Sequence, residues 1–145
     1  MNISGRIFLS GSPQATRKIG EEIAKKLRSG SLVFLTGELG SGKTTLVQGI
    51  AKALGVREKV RSPSFLIVNE YSAKGGAKLY HMDLYRLAPA DIDNFGLEDY
   101  LFGRGICVVE WAEKLNRRLN AGLEIKLKWL SERERSISIH ENTGN

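Results

Sequence analysis

Gly37, four residues, then Gly42, Lys43 and Thr44 reproduce the pattern G-x-x-x-x-G-K-[ST]. The spacing suits polyphosphate capture. Gly37, Gly40 and Gly42 admit backbone turns closed to residues with a Cβ. The N–H groups of such a loop point inward and make an anion nest. Lys43 supplies a point charge for β- and γ-phosphates, and the Thr44 hydroxyl suits Mg²⁺. The candidate nucleotide site is therefore the run Gly37, Glu38, Leu39, Gly40, Ser41, Gly42, Lys43, Thr44 and Thr45.

Phosphate chemistry in such a loop needs a further carboxylate at the end of a neighbouring buried strand. Two acids qualify. Glu110 follows the apolar run Ile106-Cys107-Val108-Val109, and Asp83 follows a less apolar strand with His81 and Arg86 close in sequence. We assign Glu110, with Thr44, to the Mg²⁺ shell. Asp83 is assigned to orienting the attacking water or sensing the γ-phosphate. Lys43, Asp83 and Glu110 are thus the candidate catalytic residues. The competing account for either acid is a helix N-cap or a surface salt bridge. Arg86 is either a γ-phosphate contact or a surface partner. Trp111 reads as core packing by default, with an adenine-side contact or a partner anchor as the alternatives. Cys107 reads as a small buried hydrophobe rather than a nucleophile.

These residues need elements to hold them. Leu32 to Leu35 form a short apolar run, as expected of a buried parallel strand. After the loop, Leu46, Val47, Ile50 and Leu54 share one helical face, and Gly55 suits the C′ position. Strand, glycine loop and helix together, over Ser31 to Gly55, separate the motif from a glycine-rich turn with an incidental lysine. Arg6 to Ser10 reads as a strand. A helix follows, with Ser12 as N-cap and Pro13 at N1. Its stripe is Ala15, Ile19, Ile23 and Leu27; its end is expected near Gly30, with Lys25, Lys26 and Arg28 in the last turns. Phe65–Tyr71 and Lys78–Met82 flank Lys74-Gly75-Gly76 and read as a β-hairpin. Pro89–Asp93 and Gly96–Leu101 read as short helical pieces, and Ala112–Leu119 as a helix. Leu123–Leu130 and Ser136–His140 read as a closing pair of strands. The fold class is α/β: one P-loop NTPase domain over residues 1–145, with a mixed, mostly parallel sheet flanked by helices and a β-hairpin.

The chain has 145 residues, which matches one domain. A single cysteine excludes an internal disulfide framework, and His81 and His140 are too few beside it for a zinc site of standard spacing. The longest early apolar run is Ile7-Phe8-Leu9, so neither a signal peptide nor a membrane span is expected. Cytoplasm is the simplest compartment. The formal net charge of +6 is compatible with RNA or an acidic partner. Arg57, Lys59, Arg61, Arg117 and Arg118 are the basic residues we associate with such a contact.

Four motifs occur in order: GELGSGKTT, SPSF, HMDLYRL and VVEWAEKL. Together they resemble the bacterial TsaE (YjeE) family, and the resemblance runs over nearly the whole chain. It implies an α/β P-loop fold, ATP with Mg²⁺, weak intrinsic hydrolysis, and work beside the TsaB–TsaD pair. That pair places a threonylcarbamoyl group on the tRNA adenosine next to the anticodon. The family's functional positions carry over to Gly37 through Thr45, Asp83, Glu110 and Trp111. One departure is visible: the family usually shows Ser-Pro-Thr-[FY], and here Ser64 stands third, keeping the hydroxyl.

Rival readings fail on specific features. A GTPase would need N-K-x-D, and the Asp93-Asn94-Phe95-Gly96 stretch has no buried strand leading into it. Adenine is therefore expected over guanine. A small-molecule kinase would want a lid with several arginines after Arg86. An ABC-type ATPase needs more length and an L-S-G-G-Q stretch. The sequence leaves open a nucleotide-gated binding module, in which ATP sets a docking conformation without significant turnover.

Overall fold

A computed structural model describes residues 3–63, 68–115 and 122–142, without the side chains of 93–95. The central strands are the apolar runs: β2 (Leu32–Thr36) and β5 (Ile106–Glu110). Every residue of β5 is buried, as in a strand covered on both faces. Beside them lie β4 (Lys78–Asp83) and β6 (Gly122–Trp129), and further out β1 (Ile7–Ser10), β3 (Val68–Ser72) and β7 (Arg135–Asn142). The sheet order is β1-β7-β6-β2-β5-β4-β3. The pairs β6–β2, β2–β5 and β5–β4 are parallel, while β1–β7, β7–β6 and β4–β3 are antiparallel. The mixed α/β sheet with a hairpin is thus as expected, but it is not mostly parallel: among the described residues three pairings are parallel, in the middle, and three antiparallel, at both flanks. In β6, Ile125 and Leu127 point inward while Glu124, Lys126 and Lys128 are exposed, the alternation of a sheet solvated on one face.

One face of the sheet carries α1 (Pro13–Ala24) and α2 (Lys43–Ala53). Ile19, Ile23, Leu46, Val47 and Ile50 pack there on Val33, Leu35, Val108, Ile125 and Ile137. The two helices touch through glycines. A Cβ on Gly20 would sit 2.4 Å from the Leu46 carbonyl oxygen, and one on Gly49 2.0 Å from that of Arg17. On the other face Phe34, Met82, Cys107 and Val109 pack against Ile92 of a 3₁₀ segment (Pro89–Phe95) and Leu101 of α3 (Glu98–Leu101). Among the described residues no helix is long and apolar enough to cross a membrane.

Three further expectations need correction or trimming. First, α1 ends at Ala24, not near Gly30. The amides of Lys25, Lys26 and Leu27 bond back three residues, which tightens the last turn, and the Gly30 amide then turns to the Gly105 carbonyl. Lys25, Lys26 and Arg28 therefore lie beyond the helix. Second, the segment after β5 is a 3₁₀ turn, Ala112–Lys114, not an α-helix; Leu115 is already extended at φ −70° and ψ 125°. Residues 116–119 of the expected helix, with Arg117 and Arg118, lie outside the described residues. Third, the first hairpin strand is described from Val68, and its expected residues 65–67 lie outside, as does Ser64.

Candidate functional site

The loop between β2 and α2 is shaped by its glycines. Gly37, Gly40 and Gly42 have φ of 151°, 80° and 100°. At Gly37 a Cβ would stand 2.6 Å from the Leu127 carbonyl oxygen and 2.7 Å from Ser41 Oγ, so only glycine passes there. Gly42 caps α2 without a side-chain hydrogen bond. The first amides of α2 therefore keep the anion-binding character of a helix start. Ser41 is fully buried beneath the loop.

Lys43 folds back over this loop. Its ammonium donates to the carbonyls of Gly37 and Glu38, the latter at 2.9 Å, and sits 4.3 Å from the centre of the Trp111 indole. Burial holds its pKa below the usual 10.5, opposed by the charges of Glu110, Glu113, Asp83 and Glu38. Trp111 adopts φ 59° and ψ 40°, and is the one non-glycine residue with positive φ among the described residues. Such a conformation is strained for a side-chain-bearing residue. It brings the indole to Lys43 and, at 4.9 Å between ring centres, to Tyr85. Lys114 secures the same turn by donating to the carbonyls of Tyr85 and Leu87.

Both candidate acids stand at strand ends beside the loop. Asp83 and Glu110 are register partners across the parallel pair β4–β5. Thr44 Oγ1 donates to Glu110 at 3.0 Å (Oε2) and 3.3 Å (Oε1). Asp83 accepts from Ser62 Oγ and from the Tyr85 amide, each at 3.0 Å. His81 lies close to Asp83 in sequence but turns to Glu110. Its Nε2 hydrogen-bonds Glu110 Oε2 in the interior. Alternation along β4 puts 81 and 83 on one face, and there the imidazole meets the neighbouring strand's acid instead.

A cavity of about 530 Å³ collects Leu39, Gly42, Lys43, Thr44, Thr45, Ser62, Asp83, Arg86, Glu110 and Trp111. Gly40 and Arg135 belong to an adjoining cavity of about 400 Å³ that shares Gly42 and Thr45. A larger cavity of about 740 Å³, lined by Phe34, Lys126 and Ser138 among others, contains no loop residue. The candidate site is the cavity at the glycine loop rather than this larger one. The Thr44 hydroxyl and Glu110 carboxylate are paired hard oxygen donors beside the glycine loop. That set fits Mg²⁺, which keeps waters and shares phosphate oxygens. Sequence reasoning did not assign Ser62, Tyr85, Lys114 or Arg135, whose guanidinium donates to the Gly40 carbonyl at 3.2 Å. Ser62, Tyr85 and Lys114 did carry a signal, their places in SPSF, HMDLYRL and VVEWAEKL; Arg135 lies in none of the four motifs.

The family model described as "Threonylcarbamoyl adenosine biosynthesis protein TsaE" matches residues 10–137. The chain belongs to the TsaE family. A TsaE from Aquifex aeolicus is 42% identical over 131 residues, which is 89% of this chain and 91% of that one. A TsaE from Nostoc sp. is 38% identical over 138 residues, 92% of this chain and 84% of that one. Both bear the name tRNA threonylcarbamoyladenosine biosynthesis protein TsaE. A crystal structure of Bacillus subtilis YdiB superposes with a TM-score of 0.80 at 34% identity, over 100% of this chain and 90% of that one. The mixed sheet described above is therefore the architecture of that solved structure.

Proposed function

We propose that this chain, as one cytoplasmic P-loop domain, binds and hydrolyses Mg²⁺-ATP in the biosynthesis of threonylcarbamoyladenosine in tRNA, acting with the TsaB–TsaD pair. The observation that carries this reading is Thr44 donating to Glu110 beside Lys43 at the mouth of the glycine loop. The amides of the loop and of the α2 start hold the phosphates. Lys43 exchanges its loop carbonyls for β- and γ-phosphate oxygens. Thr44 and Glu110 hold Mg²⁺, which when bound neutralises charge on the phosphate oxygens. Asp83, fixed by Ser62 and the Tyr85 amide, orients water toward the γ-phosphate. Adenine is preferred, and tighter binding of GDP than ADP would contradict that preference. The exposed Arg57, Lys59 and Arg61 lead into Ser62 and Pro63 at the cavity wall, and we assign them to tRNA. If so, affinity for tRNA falls steeply with salt as counterions are released; flat binding removes the assignment.

The two acids give the sharpest test. Glu110→Ala loses both Mg²⁺ affinity and turnover. Asp83→Ala keeps ATP binding and lowers turnover by roughly 10²–10⁴. Equal effects of the two substitutions on Mg²⁺-dependent binding would defeat the division of roles.

A further inference from the structure

We propose that His81 is the positioning residue for Glu110: from behind the site it fixes the carboxylate that, with Thr44, faces the metal. The inference rests on the reading of Thr44 and Glu110 given above.

His81 is 0% exposed, on the inner face of β4. It stands opposite Val108 while Asp83 stands opposite Glu110, so the imidazole lies one same-face step behind the acid. Its Nε2 hydrogen-bonds Glu110 Oε2. Its Nδ1 has no hydrogen-bond partner among the described residues. A wholly buried imidazole with one nitrogen unpaired is a poor core residue, because burial of an unsatisfied polar atom opposes folding. An apolar side chain of similar volume would fill the space without that penalty. The feature that sets His81 apart from a packing residue is its bond to Glu110.

The bond also distinguishes the two carboxylate oxygens. Oε2 receives His81 and the shorter Thr44 contact, while among the described residues Oε1 has only the 3.3 Å contact from Thr44. A Thr44 oxygen that held a metal could still donate its proton to Glu110, and His81 on Oε2 would supply the second contact that keeps the carboxylate from rotating. Partners behind a metal-binding group orient it in this way, and losing one costs about 10–100-fold in metal affinity or activity. The tautomer with its proton on Nε2 accounts for both nitrogens: one donates to Glu110, and the other is left bare.

The test is the Mg²⁺ dependence of binding of a fluorescent ADP analogue to the full chain, for wild type, His81→Leu, His81→Gln and His81→Asn, with thermal unfolding of each free protein. Glutamine carries an N–H close to the reach of Nε2, whereas asparagine falls one bond short. Without Mg²⁺ the variants should bind the analogue as wild type does. With Mg²⁺, His81→Leu should need about 10–100-fold more metal, and His81→Gln should approach wild type. Unfolding of His81→Leu at or above the wild-type temperature, together with that loss, would set the effect apart from a packing role. Mg²⁺ titration of His81→Leu like wild type overturns the proposal, as does equal impairment of the leucine and glutamine variants. If His81→Leu does not fold, a glutamine variant better than asparagine supports the proposal, and equal behaviour of the two overturns it. A wild type whose binding ignores Mg²⁺ contradicts the reading of Thr44 and Glu110 itself, and the proposal with it.

Discussion

Replacing Lys43 by methionine separates the work of the ammonium from the packing of its stem. Lys43 is 5% exposed, and methionine keeps an unbranched stem of similar length. In the free protein two changes oppose each other. The charge-assisted bonds to Gly37 and Glu38 are lost, and so is the burial penalty that pulls the pKa of Lys43 down. Glu38 is exposed and Gly37 partly so, so water can take over their carbonyls. The free domain should therefore change by no more than about 1 kcal/mol. Nucleotide binding loses a hydrogen bond between charged groups, about 1.5–3 kcal/mol, or roughly 10–150-fold. At a nucleotide concentration of about 100 times the wild-type Kd, ligand stabilises wild type by about 2.7 kcal/mol. With affinity about 30-fold weaker, the same concentration gives about 0.9 kcal/mol. At about 2–4 °C per kcal/mol, a ligand-induced rise of roughly 5–11 °C shrinks to roughly 2–4 °C. Thermal unfolding with and without nucleotide reads both numbers. An undiminished rise in Lys43→Met refutes the phosphate role, and a free variant weakened by well over about 1 kcal/mol refutes hydration of the released carbonyls.

Gly49→Ala places a Cβ 2.0 Å from the Arg17 carbonyl oxygen, where backbone faces backbone. Helix propensity gains about 1 kcal/mol, but prising α1 from α2 costs more, so the melting temperature should fall; a rise would show that the helices can separate freely. Cys107 is fully buried, and burial pushes its thiol from 9.0 up to about 12. The unfolded chain gives up that proton near 9 and the native one near 12, so Cys107 supports the fold fully below 9 and loses that support as pH rises toward 12. Urea midpoints measured across that range for wild type and Cys107→Ala should diverge in this direction, and parallel curves would count against it. At neutral pH the native thiol should resist maleimide until the chain is unfolded, and rapid labelling would contradict its burial.

The parts of the fold that repeat a local rule were legible. Leu32–Leu35 and Ile106–Val109 read as buried strands because apolar runs of that length fit a covered parallel sheet, and β2 and β5 are those strands. Ser12 caps α1 by accepting from the Ala15 amide, as its residue type announced. What stayed hidden depended on distant partners. The end of α1 falls at Ala24, where the amides of Lys25 to Leu27 bond back three residues, and beyond it the Gly30 amide meets the distant Gly105 carbonyl. No sequence rule put Trp111 in a left-handed conformation, since the contacts that hold it come from Lys43 and Tyr85. The site was half legible. Thr44 and Glu110 were paired from their motifs and do meet, 66 residues apart. The partner of His81 required the register of β4 on β5, which periodicity does not supply.

The most direct test of partner-dependent ATP hydrolysis is single-turnover hydrolysis by the full chain with Mg²⁺, alone and with the TsaB–TsaD pair. The account predicts slow hydrolysis alone and a clear acceleration with the pair, since a charge supplied in trans is worth about 10³–10⁵ in such reactions. The Asp83→Ala protein should bind ATP and lose the accelerated rate. An isolated wild type that already turns over at about several per second, unchanged by the pair, would contradict it. So would tight Mg²⁺-ATP binding with no hydrolysis under either condition, the behaviour of a nucleotide-gated binding module.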